Sequence, residues 1–173
     1  MTPEGSGPAE RGPAGGGDHH TPEVVAGETE TMLAFLGYLR AGVDRKLEGV
    51  SESDARRVLV PSGTTLLGLV KHLTVVEVYW ARRRLLGEDV RGEHDGFVLD
   101  AGDTVDSVRR RYAEAGRRTD DIIAACASLD QPLARGRRGL TARWVLNHLV
   151  EETGRHAGHA DILRELIDGA TGR

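Results

Sequence analysis

The chain has 173 residues, 39% of them hydrophobic and only 4% aromatic, with a net charge of −4 and a single cysteine, Cys126. That is the size of one domain, or of one domain and a tail, with a modest aliphatic core. One cysteine excludes an intrachain disulfide framework, the acidic balance argues against bare nucleic acid as the main partner, and no apolar run reaches the ~18 residues of a membrane span. With no signal pattern at the N-terminus, the expected location is cytoplasmic.

Residues 1–22, MTPEGSGPAERGPAGGGDHHTP, hold four of the six prolines and no large aliphatic residue beyond Met1. Such a segment buries too little apolar area to offset its ordering entropy, so it reads as a disordered tail before a domain over residues 23–173. His19 and His20 within it read as solvated side chains.

After the tail the hydrophobic period becomes helical. Met32, Leu36, Leu39, Val43 and Leu47 mark a first helix over roughly 26–48, ending near Gly49. Pro61 and Gly63 punctuate the connection, where Ser62 or Thr64 can cap a second helix over roughly 64–87. Its inward stripe is Thr65, Leu69, His72, Val76 and Tyr79, so His72 stands where the pattern wants a core residue. Residues 88–102 have no period and form a crossover loop of a length that often lines a site; His94 within it reads as exposed. Asp103 is a plausible cap for a third helix, whose stripe runs from Val105 through Val108, Tyr112, Ala115, Thr119, Ile122 and Cys126 to Leu129. The fourth begins near Leu140–Thr141 and stops at Gly169. Four amphipathic helices and no strand signal predict an all-α four-helix bundle.

The fourth helix carries an unusual cluster, NHLVEETGRHAGHADIL. At about 100° per residue, His148, His159, Glu152 and His156 fall within one arc of about 80°. Trp144, Val145, Ile162, Leu163 and Leu166 share or adjoin that arc, so the polar cluster is expected to point into the bundle. Burying these groups costs several kcal/mol unless each is satisfied. A hydrogen-bonded Glu–His network satisfies them, and so does a metal ion. Glu152 and His156 are spaced i, i+4 and can reach one ion, and His72 is the other histidine on an inward face. Spacing alone leaves both readings open.

The segments LVPSGTTLLGLVKHLTVVEVYW (59–80) and TARWVLNHLVEETGRHAGHADILRELIDG (141–169) resemble the DinB-like superfamily, nearest a branch of small actinobacterial proteins. The resemblance covers roughly residues 26–169. It implies a DinB-like four-helix bundle with a divalent metal on a second-helix histidine, here His72, and a fourth-helix pair, here Glu152 and His156 followed by Ala157 and Gly158. Many relatives have histidine first in that pair. Glutamate there is shared with mycothiol-dependent maleylpyruvate isomerase and leans the chemistry toward a low-molecular-weight thiol. His148 and His159 are expected beside the ligands or in the substrate cavity.

Two imidazoles and a carboxylate suit zinc, and also nickel or ferrous iron, and three protein ligands leave positions open for reaction. The resemblance thus implies a metal-dependent transferase or isomerase using a thiol of the mycothiol type on small electrophiles. A metal-hydroxide hydrolase and a non-catalytic metal-binding or dimerising bundle are the alternatives, and a homodimer is compatible with all three. Cys126 reads as inert packing. The basic runs at 109–118 and 134–139 read as solvated faces.

Overall fold

The structure, a computed structural model, describes residues 20–23, 26–90, 96–136 and 139–172. The expected tail therefore lies outside the described residues except for 20–22, as do His19 and His94. The described chain is helical, with α1 over Glu28–Arg45, a short α2 over Glu52–Ala55, α3 over Leu66–Glu77, α4 over Val105–Ala124 and α5 over Ala142–Asp168. α1 packs mainly on α5, and α3 on α4. The all-α four-helix bundle is thus the observed architecture. No described helix is long and apolar enough to cross a membrane.

Local chemistry sets the helix ends. Thr65, rather than Ser62 or Thr64, caps α3 by accepting from the Gly68 amide at 3.0 Å. Thr104, rather than Asp103, caps α4 in a reciprocal box with Ser107, and Glu52 accepts from the Val105 amide at 2.8 Å. α4 ends at Ala124, short of Cys126 and Leu129. The chain after Glu77 widens into a π-helix over Val78–Leu86, stopped by Gly87 at a left-handed φ of 82°. Wide turns of this kind re-aim side chains and frequently occur at functional sites.

Two apolar clusters form the core. One gathers Val43, Leu47, Leu69, Leu73, Val108, Tyr112, Ala160 and Leu163. The other gathers Leu36, Ala81, Leu85, Ile122, Val145, Leu146 and Leu149. Between them lies a polar layer. Arg40 of α1 clamps the buried Glu77 of α3 through Nε at 2.6 Å and Nη2 at 3.0 Å, and its Nη1 reaches Asp120 of α4 at 2.7 Å. Breaking a buried pair of this kind by removing one partner strands a charge, which typically costs about 3–5 kcal/mol.

A second buried charge ties the crossover loop to α3. Lys71, 4% exposed, donates to the Val98 carbonyl and to Asp100, both at 2.8 Å, and pairs with Asp103 at 3.0 Å. Asp103 also pairs with Arg111 and accepts from the Asp100 amide at 2.8 Å. So Asp103 is a buried hub rather than a helix cap.

Burial pushes the Asp103 carboxyl up, but hydrogen bonds from Arg111, the Asp100 amide and Lys71 outweigh it and hold it at about 2. A carboxyl depressed on folding stabilises the fold above its unfolded range, and that stability fades as pH falls through the folded value. Asp103→Asn is expected to cost on the order of 2 kcal/mol at pH 7, with the gap to the native chain closing between about pH 4 and pH 2. Urea unfolding across that range checks this; a pH-independent gap would contradict it.

Candidate functional site

The fold brings His72 of α3 and Glu152 and His156 of α5 together, with one potential donor atom from each lying within 4.8 Å of the others. Glu152 Oε1 stands 3.4 Å from His72 Nε2 and 3.2 Å from His156 Nε2. The imidazole rings of His72 and His156 meet edge to face, 4.9 Å between centroids. The described structure therefore contains a two-imidazole, one-carboxylate cluster able to hold a metal ion.

The family model of the mycothiol-S-transferases matches residues 31–169, which include the whole cluster. The chain belongs to the mycothiol-S-transferase family, a DinB-like family. No curated protein matches the sequence. Among solved structures, a conserved protein of Enterococcus faecalis is similar in fold, with a TM-score of 0.60 at 13% identity over 84% of this chain and 99% of that one.

In this mycothiol-S-transferase family member His156 lies on the buried face of α5 as the helical arc predicts, whereas Glu152 lies on its flank and His148 and His159 further out, which corrects the inward placement of those three. The buried side chains of α5 are Ala142, Val145, Leu146, Leu149, Thr153, His156, Ala160 and Leu163. Their mean direction is rotated from His148 by about 100° at ordinary helical pitch. Trp144, Ile162 and Leu166 are instead exposed, by 38%, 54% and 50%. As a result His72 and Glu152 keep a solvent-facing edge while His156 is buried, a site that is built but reachable.

Neighbouring side chains fix the ligand-like groups. Phe97 of the crossover loop stacks on His72 at 4.0 Å and 15°, and lies edge-on to His156. The contact depends on two glycines at close backbone approach. A Cβ on Gly96 would stand 2.5 Å from the His72 Cα, and one on Gly68 2.6 Å from the Phe97 carbonyl oxygen. Phe97 and Lys71 were not singled out by sequence. A lysine inside the apolar run LLGLVKHLTVV was the available signal.

His159 and His148 part company. His159 is exposed, and its Nδ1 lies 3.4 Å from His156 Nδ1, so it adjoins the cluster. His148 does not reach Glu152. Its ring stacks on Trp144 and meets Trp80 edge-on, each at 5.0 Å, and its Nδ1 lies 3.7 Å from Glu151. Cys126 packs with the second core cluster, donates to the Ile122 carbonyl at 3.3 Å and has a thiol pushed up by burial, as inert packing requires. Among the basic residues, Arg109 pairs with Asp44 and Glu48, and Arg118 with Glu88.

Burial pushes the Glu152 carboxyl up, but the hydrogen bond from His72 and the charges of His156 and Arg155 hold it below the usual range. Burial pushes His156 down; Glu152 opposes this, while His72 and His159 add to it, and the net direction is down. The cluster is thus poised with an ionised carboxylate beside a neutral imidazole near pH 7, the protonation states that metal ligands require. In metal-free protein, His156 is expected to titrate below an ordinary histidine, and Glu152→Gln to lower it further by removing the group that raises it. A proton NMR titration of the ring resonances checks this; a rise on Glu152→Gln would contradict it.

Proposed function

We propose that this chain is a metal-dependent S-transferase that joins a low-molecular-weight thiol of the mycothiol type to small electrophiles. His72, Glu152 and His156 would hold the ion. The observation that carries the reading is the convergence of these three donors, from two helices, on a flank that solvent can reach. The donor set suits a borderline divalent ion, zinc foremost and then nickel or ferrous iron. When bound, such an ion supplies a Lewis acid that favours the ionised form of a thiol near neutral pH.

The chain's own residues would prepare the rest. With an ion on its Nε2, His156 would carry its proton on Nδ1, 3.4 Å from His159 Nδ1, which would accept it. That bond would fix the tautomers of both rings, with His159 exposed at the rim of the cluster. Phe97 holds the His72 ring against rotation and shields one of its faces from water.

Untagged protein is expected to hold about one divalent ion per chain, lost in both His72→Ala and His156→Ala with the helical circular dichroism retained. With mycothiol and the electrophile monobromobimane, it is expected to consume both faster than the spontaneous reaction, and His72→Ala to lose at least roughly a hundredfold of that rate. Metal retained in both variants would contradict the site. Metal-dependent loss of electrophile without thiol would replace transfer by hydrolysis.

A further inference from the structure

A cavity lies between α1 and α5, on the flank of α5 away from Glu152 and His156. It encloses about 400 Å³, with Phe35, Tyr38, Leu39 and Ala157 among its walls and Arg45 and Lys46 lining one part. Lys46 is engaged, since its ammonium pairs with Asp161 at 2.6 Å. Arg45 is not. Its Nε and Nη2 are shut off from solvent and reach no acceptor among the described residues. The position of Arg45 in the last turn of α1 suits its positive charge to the helix dipole, but a dipole supplies no acceptor for those two N–H groups.

The pair of atoms matters. Nε and Nη2 form the edge of a guanidinium that presents two parallel N–H bonds, matched to the two oxygens of a carboxylate. Other arginines among the described residues use that edge, Arg164 on Asp168 among them. Arg40 grips Glu77 with it, Arg109 grips Asp44 at 2.8 and 2.7 Å, and Arg143 grips Glu28 at 2.9 and 3.1 Å. In Arg45 the same edge lies beside a largely apolar cavity of ligand size.

We propose that this cavity binds a small organic carboxylate with an apolar body, gripped by the Nε and Nη2 edge of Arg45. The body lies among Phe35, Leu39 and Ala157, and a rotation of the Arg45 side chain, common on binding, brings the edge onto the carboxylate. The floor carries Gly42, Gly154 and Gly158. A Cβ at Gly42 would meet only Arg45 Nη2, at 3.9 Å, so the cavity admits a ligand where side chains would fill it. The site is separate from the His72–Glu152–His156 cluster and does not depend on a metal.

The probe is benzoate, with neutral benzamide of nearly the same shape as its control, titrated into the isotope-labelled full chain and followed by amide NMR. Benzoate is expected to shift the amides of Gly42, Ala157 and Gly158 saturably in the millimolar range, and to leave those of His72 and Glu152 in place. Benzamide, and benzoate with Arg45→Met, should bind at least roughly tenfold more weakly. Gly42→Leu, which fills the cavity without removing a charge, should block binding and decides the matter alone if Arg45→Met fails to fold. Absence of saturable shifts, equal binding of benzamide, shifts centred on His72 and His156, or undiminished binding to a folded variant would each overturn the proposal.

Discussion

The ammonium of Lys71 is buried, and a buried ammonium must be met by oxygen atoms or it costs several kcal/mol. The oxygens come from the crossover loop: the Val98 carbonyl and the carboxylates of Asp100 and Asp103. Satisfying this charge therefore folds the loop back onto α3. Phe97, one residue before Val98, is laid on the ring of His72, the residue after Lys71. The same constraint requires glycine at 96 and 68, where backbone and loop approach too closely for a side chain. One desolvated cation thus couples the stability of the loop to the orientation of the His72 imidazole.

The rest of the site follows from where α5 turns its faces. His156 stands on the buried face, and had Glu152 and His159 stood there too, the three would have formed a closed network with no opening to solvent. With Glu152 on the flank and His159 exposed, the cluster keeps a buried foundation and a wet edge. Alongside, the Arg40–Glu77 clamp joins α1 to α3 between the two apolar clusters. That layer favours one alignment of the helices, because sliding either helix by a turn would leave a buried charge unpaired. The stretch of α3 bearing His72 is thereby held opposite α5.

Much of this was legible in the chain. The helices were, because aliphatic residues recur every three or four positions over long spans, and so was the grouping of His72 with Glu152 and His156. The direction of α5 was legible only in part, through Val145, His156 and Leu163. Trp144, Ile162 and Leu166 are large and dominate a hydrophobic arc, yet they are exposed, while the true face relies on Ala142, Thr153 and Ala160, which carry little signal. The caps shifted by one residue because several adjacent hydroxyl or carboxylate side chains could each serve. The chain has only two lysines, Lys46 and Lys71, among many arginines, and both are buried. That asymmetry is plain in the sequence, but its meaning depends on Asp161, Asp100 and Asp103, contacts far along the chain that no periodicity reveals.

Membership of the mycothiol-S-transferase family, the flank position of the cluster and the protonation states of Glu152 and His156 converge on one claim, that the three side chains share a metal ion. The most direct test is anomalous diffraction at the zinc absorption edge from crystals of the zinc-loaded protein. A single strong peak bonded to His72 Nε2, Glu152 and His156 Nε2, with a position left open to solvent, is the predicted result. A map with no peak among these three side chains, or with zinc bound only elsewhere, would contradict the claim and leave the cluster as a hydrogen-bonded network between α3 and α5.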